Sequence, residues 1–186
     1  MSHRGGQFNW VGAMTPNTRG GRRAHGPITE KIYKESINKK EKRKALRSAM
    51  SASMNVQIVA GRGHKTPSHY PFAIEQKFEG LQTTSDVRKT FDALNLTEEI
   101  ARCSVTSMRA GRAKMRSRGR KVKKGPLIIT SGPCAAEKAC RNIPGVDVQH
   151  VDSINTQYFA PGGDAGRLTI WTESALAKLQ KDNMYI

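Results

Sequence analysis

Residues 106–125 carry nine Lys or Arg residues and no Asp or Glu. Like charges this crowded repel one another and are costly to bury, so the stretch cannot enter a core. Residues 1–70 are also basic, with 14 Lys or Arg against three acids. By contrast, residues 71–105 hold four Lys or Arg and six acids, and residues 126–186 hold five Lys or Arg and six acids. The pattern predicts exposed cationic segments attached to a nearly neutral body.

A polyanion is the expected partner of such a chain, because its net charge is +17 and its pI is about 10.3. Nucleic acid is the first candidate, since Arg presents a planar fork to phosphate oxygens and Gly allows close backbone approach. A disordered linker or a localisation signal is the alternative for residues 106–125. The body continues directly after this stretch, which favours RNA or DNA contact.

Other classes of partner find little support in the sequence. No apolar run reaches the roughly 18–20 residues that a membrane-spanning helix needs, so no membrane partner is expected. The three cysteines, Cys103, Cys134 and Cys140, have spacings that suit neither a disulfide framework nor a zinc site. We therefore expect no metal and no cofactor.

The alternation of predicted strands and helices indicates an α/β fold with a small, mostly parallel sheet flanked by helices. Residues 1–27 contain six glycines and two prolines without apolar periodicity, which predicts a long extended basic N-terminal arm. Strands are expected at 70–74, 126–130, 146–151 and 168–171, and helices at 39–54 and 135–142. Further helices are expected after caps at Thr84 or Ser85, Thr97 and Thr172, with Leu176 and Leu179 facing inward in the last. The predicted domains are an RNA-binding arm at 1–27 and a globular domain at 28–186, whose residues 106–125 form an exposed loop.

The glycine-rich segment Ala160-Pro-Gly-Gly-Asp-Ala-Gly-Arg167 raises the alternative of a nucleotide-binding enzyme of Rossmann type. A dinucleotide-binding loop follows a strand and opens a helix, whereas this segment precedes a predicted strand. It also lacks the Lys and Ser/Thr that a P-loop requires. A tight turn that places Arg167 at the start of a strand is the preferred interpretation.

Several motifs, taken together and in order, resemble one family. They are Arg22-Arg-Ala-His25, Arg62-Gly-His64, Met108-Arg-Ala-Gly111, Ala160-Pro-Gly-Gly163 and Gly166-Arg-Leu-Thr-Ile-Trp-Thr-Glu-Ser-Ala175. The chain resembles the large ribosomal subunit protein four family of the archaeal–eukaryotic type over most of residues 19–180. The last two motifs are specific, whereas basic runs alone would not be.

The resemblance implies a non-enzymatic structural constituent of the large ribosomal subunit, located in the cytoplasm within the ribosome. Its partners would be large-subunit ribosomal RNA and neighbouring ribosomal proteins, with no small-molecule substrate. It also implies an extended loop that reaches toward the nascent-peptide exit tunnel. The alternative is a free RNA-binding regulatory protein that acts outside the ribosome, because the same cations would serve both roles.

Residues expected near the tunnel are Gln7, Phe8, Trp10 and Met14. Residues expected to bind RNA in the N-terminal part are Arg4, Arg19, Arg22, Arg23, His25, Lys40, Arg43, Arg47, Arg62 and His64. Those expected to bind RNA in the C-terminal part are Arg109, Arg112, Lys114, Arg116, Arg118, Arg120, Lys121, Lys123, Lys124 and Arg167.

Family members carry a strand, a helix and the outgoing half of the loop ahead of the residues that match here. A sheet without that segment is expected to have an unpaired edge or apolar face. Three explanations stay open: a misassigned start, a piece supplied by another chain, or a shortened version of the protein.

Overall fold

The computed structural model describes residues 2–4, 7–9, 15–17, 20–182 and 185, with the backbone alone at 2–4 and 7–9. The chain divides into two units, residues 1–36 and 37–186. In the first, strand β1 (Ser2–Arg4) pairs antiparallel with β2 (Gln7–Asn9). That residues 1–27 form an extended RNA-binding arm stays a prediction.

The second unit contains a four-stranded parallel sheet and a separate two-stranded antiparallel pair. Its strands are β3 (Ala73–Ile74), β4 (Ser107–Met108), β5 (Arg120–Lys121), β6 (Leu127–Thr130), β7 (Asp147–His150) and β8 (Thr169–Thr172). The parallel sheet has the order β3-β8-β6-β7, and Leu127 on β6 lies opposite both Asp147 and Thr169. The antiparallel pair joins β4 to β5.

Eight α-helices are described in the second unit. They are α1 (Lys39–Met54), α2 (Val56–Gly61), α3 (Thr84–Ala93), α4 (Thr97–Ser104), α5 (Arg112–Met115), α6 (Ala135–Cys140), α7 (Thr156–Phe159) and α8 (Glu173–Lys181). Short 3-10 helices occupy Gln76–Gly80, Val151–Ser153 and Pro161–Gly163.

The core has two layers because alternate residues of each central strand point to opposite faces of the sheet. On one face Ile128 and Ile170 pack with residues of α2, α3 and α6, including Val87 and Phe91. On the other, Leu127, Ile129 and Trp171 pack with residues of α1, α7 and α8. Strands β6 and β8 are therefore buried on both sides, which explains why apolar residues are adjacent in both, at 127–129 and at 170–171. The predicted α/β class with a mostly parallel sheet is confirmed.

The helix caps and the inward-facing residue of α8 differ in part from the predictions, because tertiary contacts determine them. Thr97 does not cap α4: the N-cap is Leu96, and the Thr97 hydroxyl donates to Asp92. Thr172 does cap α8, where its Oγ1 accepts from the Ala175 N–H at 3.3 Å. Leu176 does not face inward, since it is 39% exposed and Ala175 takes the buried position.

The glycine-rich segment 160–167 forms a turn in which Gly162, Gly163 and Gly166 all have positive φ values. The turn leads into β8, in agreement with the expected role. At Gly166, φ is +90°, and a Cβ would lie 2.6 Å from Ile58 Cγ2 and 3.1 Å from the Ile58 carbonyl oxygen. Only glycine satisfies both the backbone conformation and the close approach of α2.

We expect Gly166→Ala to destabilise the protein by about 1–3 kcal/mol, because it combines backbone strain with a steric clash. Gly163→Ala is the matched control: its φ is +94°, but a Cβ there would have no atom within 4 Å. Thermal melts followed by circular dichroism should therefore show the larger loss for Gly166→Ala. Equal melting temperatures for the two variants would contradict this account of the turn.

Candidate nucleic-acid interface

Residues 106–125 form a hairpin, which we call the basic hairpin. Strand β4 leads out and β5 returns, with Met108 opposite Arg120 and with an Arg109 N–H to Gly119 O bond of 2.7 Å. Helix α5 lies between the strands, where Gly111 supplies its N-cap with φ +67°. The sequence predicted an exposed loop here, because elements of two to four residues leave no periodicity to detect.

All nine cations of the basic hairpin are exposed. They are Arg109, Arg112, Lys114, Arg116, Arg118, Arg120, Lys121, Lys123 and Lys124. Within the described part of the chain, only Lys124 among them forms an ion pair, at 3.0 Å from Asp147. The exposed Met108, Met115 and Val122 lie between them. The hairpin therefore presents a dense positive charge that the protein itself leaves largely uncompensated.

Helix α1 supplies a second cationic surface. Its apolar stripe buries Leu46 and Ala49 against the sheet. Lys40, Arg43 and Arg47 of the same helix are exposed, and each one is a predicted RNA-binding residue. The amphipathic pattern thus places these three cations on the outside of the domain.

The hairpin base, defined as Lys124 and Gly125, is hydrogen-bonded by two guanidinium groups. Arg102, on the last turn of α4, donates from Nη2 to the Lys124 carbonyl at 2.7 Å. Arg167 donates from Nε to the Gly125 carbonyl at 2.8 Å. The two successive carbonyls that end the hairpin are therefore both bound by arginines of the body.

Arg102 is in turn oriented by a buried carboxylate. Glu99 accepts from Arg102 Nε at 2.8 Å and Nη2 at 2.6 Å, and it also contacts His64 Nδ1 at 2.7 Å and the Lys65 N–H at 2.8 Å. Burial acts to raise the pKa of Glu99, but these hydrogen bonds outweigh it and lower the pKa to about 2. Glu99 is therefore ionised at neutral pH despite being fully buried.

Arg167 is only 1% exposed, and its charge is matched by Asp147 Oδ2 at 2.6 Å. It also donates to the carbonyls of Tyr158 and Gly145. Burial lowers the pKa of Arg167, whereas Asp147 acts in the opposite direction. A buried guanidinium with this many acceptors connects β7, α7 and the hairpin base.

The placement of three predicted RNA-binding residues calls for a correction. Arg167 and His64 are buried and use their nitrogens within the protein, because each meets a carboxylate that lies far away in sequence. Arg62 is half-buried and donates to the carbonyls of Pro161 and Ala165 in the glycine-rich turn. We therefore place these three side chains in the internal framework rather than on the RNA-facing surface.

The predicted residues of the first unit are described only in part. Arg22, Arg23 and His25 are exposed. Arg19, Trp10 and Met14 lie outside the described residues, as do the side chains of Arg4, Gln7 and Phe8. Their assignment to RNA or to the tunnel stays a prediction.

Glu99, Arg102 and Asp147 are functional candidates that the sequence interpretation missed. One signal was present for Glu99: with Leu96 and Cys103 it falls at spacings of three and four residues on α4, which places a carboxylate in the apolar stripe. The partners of Asp147 could not be identified, because Arg167 lies 20 residues away.

The carboxyl end of the parallel sheet is occupied by a side chain of the protein. Glu79 accepts hydrogen bonds there from the Ser131 N–H at 3.1 Å, the Thr172 hydroxyl at 2.8 Å and the Ser174 hydroxyl at 2.5 Å. Burial acts to raise the pKa of Glu79, but the hydrogen bonds outweigh it and lower the pKa. α/β enzymes bind nucleotides at this edge. Here the Glu79 carboxylate already accepts from the hydrogen-bond donors of the edge, and its negative charge would repel a phosphate. The Rossmann alternative therefore gains no support.

Comparison with known proteins yields consistent matches. Residues 4–182 match the family described as "Ribosomal protein L4/L1 family". A large ribosomal subunit protein uL4 from Methanoregula boonei is 44% identical over 169 residues, which cover 90% of this chain and 67% of the relative. The chain belongs to the ribosomal protein L4/L1 family. The resemblance predicted from the motifs is thus confirmed.

Two further members of the ribosomal protein L4/L1 family support the assignment. The proteins named uL4 from Methanococcus aeolicus and Methanocaldococcus jannaschii are 43% and 44% identical, over 92% and 91% of this chain and 69% and 68% of their own lengths. The predicted archaeal–eukaryotic type and the non-enzymatic class are confirmed by these relatives, all of which are archaeal. In the described part of the chain no helix is long and apolar enough to span a membrane, and no three His, Cys, Asp or Glu residues are grouped to hold a metal.

Proposed function

We propose that the protein is a structural constituent of the large ribosomal subunit, in the cytoplasmic ribosome, that binds ribosomal RNA through the basic hairpin. Family membership and the relatives named as large-subunit proteins support the ribosomal role. The observation that carries RNA binding is the hairpin itself, where nine exposed cations meet one acid of the body. The exposed cations of α1 add a second contact surface.

The mechanism is phosphate neutralisation on a preformed support. Each Lys or Arg that contacts a phosphate releases condensed counterions, so affinity depends steeply on salt. Because the neighbouring positive charges repel one another in the free protein, RNA also removes an internal electrostatic cost. Arg side chains dominate the outer part of the hairpin and suit bidentate contact with phosphate oxygens.

We further propose that residues 1–27 approach the nascent-peptide exit tunnel, with Gln7, Phe8, Trp10 and Met14 nearest to it. This proposal rests on the family resemblance. Arg4, Arg19, Arg22, Arg23 and His25 would contact RNA along the path. The nearly neutral parts of the globular domain, residues 71–105 and 126–186, offer surfaces for neighbouring large-subunit proteins.

Sedimentation of cell extracts tests the ribosomal role. We expect the tagged protein to co-sediment with large subunits at one copy per particle and to stay bound through a high-salt wash, because a hairpin enclosed between the RNA helices of an assembled particle dissociates slowly. A protein found only in the free fractions would support the alternative, an RNA-binding regulator outside the ribosome, and would refute the structural role.

A further inference from the structure

We infer that Arg102 and Arg167 are positioning residues that fix the direction in which the basic hairpin leaves the body. They do so by hydrogen-bonding the successive carbonyls of Lys124 and Gly125, and they thereby hold the hairpin cations ready for RNA. This inference rests on the proposed RNA-binding function. It assigns a part in binding to two arginines that do not themselves contact the nucleic acid.

The hairpin cannot set its own direction. Its two legs pair through the two-residue strands β4 and β5 and through the Arg109 N–H to Gly119 O bond, and nearer the tip the Arg118 N–H donates to the Ala113 carbonyl at 2.9 Å. No Asp or Glu within residues 106–125 neutralises its nine cations, and the repulsion among those cations favours separation of the two legs. The contacts that determine its direction must therefore lie where the legs join the body.

The outgoing and returning legs meet at Arg102. The outgoing leg continues from the end of α4 at Ser104, and Arg102 stands on that last helical turn. Its Nη2 reaches across to the carbonyl of Lys124 on the returning leg. Because Glu99 binds both Nε and Nη2, the guanidinium is fixed before it makes this contact. Arg102 is thus a rigid link between the two legs.

Arg167 fixes the next carbonyl along the returning leg. Its guanidinium is held by Asp147 and by the carbonyls of Tyr158 and Gly145 while Nε binds the Gly125 carbonyl. The Gly125 N–H also donates to the Gly145 carbonyl at 2.8 Å. A Cβ at Gly125 would lie 2.7 Å from Cys103 Sγ, so the chain passes through a closely packed channel. Rotation of the hairpin about its base would break these contacts.

Positioning has a distinct energetic signature. If a variant hairpin points in the competent direction only one tenth of the time, its apparent affinity falls about tenfold. The bound state still contacts the same phosphates, so the salt dependence of binding does not change. Loss of a direct phosphate contact, in contrast, reduces both the affinity and the slope.

The test uses the full chain with Arg102→Lys, which keeps the charge but cannot bind Glu99 and the Lys124 carbonyl with one planar fork. Nitroxide labels at Ser117→Cys, at the hairpin tip, and Gln180→Cys, on α8, report the hairpin direction in a Cys134→Ser background. Both labelled positions are exposed, whereas the remaining thiols of Cys103 and Cys140 are buried. Binding to purified large-subunit ribosomal RNA is measured across a salt series. Arg88→Lys, on the exposed side of α3, is the matched control.

We expect Arg102→Lys to broaden the distance distribution and to weaken RNA binding about tenfold with an unchanged salt slope, while Arg88→Lys matches the parent. Arg167→Lys should have the same two effects, provided that its circular-dichroism spectrum matches that of the parent. The outcome of the test is decided by Arg102→Lys. An unchanged distribution, a broadened one without loss of affinity, or an affinity loss accompanied by a reduced slope would each overturn the inference. Failure of the parent protein to bind RNA would instead refute the proposed function, and the distances would still report the role of Arg102.

Discussion

Replacing Arg112, Arg116 and Arg120 by alanine is expected to weaken binding to large-subunit ribosomal RNA by roughly a hundredfold or more at about 0.1 M salt. Each phosphate contact contributes close to one unit to the slope of log affinity against log salt. Three lost contacts should therefore reduce the slope by about two to three units. All three side chains are exposed on the basic hairpin, so their removal should leave the fold intact.

The control for this variant removes three cations elsewhere on the domain. Lys77, Arg88 and Lys89 are exposed, and two of them pair with the neighbouring acids Glu75 and Asp86. Their replacement by alanine changes the net charge equally but touches no proposed contact. We expect the slope of log affinity against log salt for the control variant to be close to that of the parent protein. Equal slopes for the two triple variants would mean that overall charge, and not the hairpin, determines binding.

Glu99→Gln is expected to reduce the free energy of unfolding by about 3 kcal/mol at neutral pH, because it leaves a buried cluster without its negative charge. Arg102 and His64 would lose their charged partner. The amide NH2 of the glutamine would replace one of the two accepting oxygens, so it would either face the Lys65 N–H, donor against donor, or face Arg102 in the same way. For a chain of this length the melting temperature should fall by about 6–12 °C. Glu98→Gln, on the exposed side of the same turn, should cost less than about 0.5 kcal/mol.

The destabilisation caused by Glu99→Gln should also depend on pH. The pKa of Glu99 is near 2 in the folded protein, below the ordinary value of 4.5 that applies when it is unfolded. The ionised carboxylate therefore contributes its full stability above pH 4.5, and that contribution is lost as the pH falls toward 2. Urea unfolding at several pH values should show the gap between parent and variant narrowing below pH 4.5. A gap that is constant from pH 6 to pH 3 would contradict the assigned pKa.

The elements that the sequence predicted well are those whose signal is local and long. Helix α1 has the predicted bounds, Lys39–Met54, and the signal for it is the recurrence of Leu46, Ala49, Met50 and Ser53 at helical spacing. Strands β6 and β8, at Leu127–Thr130 and Thr169–Thr172, lie within one residue of the predicted bounds 126–130 and 168–171, because each is centred on adjacent apolar residues. The alternation of strands and helices in this part of the chain also indicates parallel pairing.

The elements that escaped prediction depend on distant contacts. Helix α7 has four residues and α2 has six, too short to be stable without tertiary packing. The inward placement of Arg167 depends on Asp147, and that of His64 on Glu99, 35 residues away. An arginine in a basic chain is expected to meet RNA, and only the three-dimensional position of Asp147 reveals that Arg167 is buried and paired within the protein.

Cryo-electron microscopy of the large subunit assembled with this protein tests the central claim most directly. The account predicts that the basic hairpin lies between ribosomal RNA helices, with most of its nine cations within ion-pair distance of phosphate oxygens and with Arg102 and Arg167 still turned to the hairpin base. A hairpin that projects into open solvent in the assembled particle, or that folds back onto the domain, would contradict it.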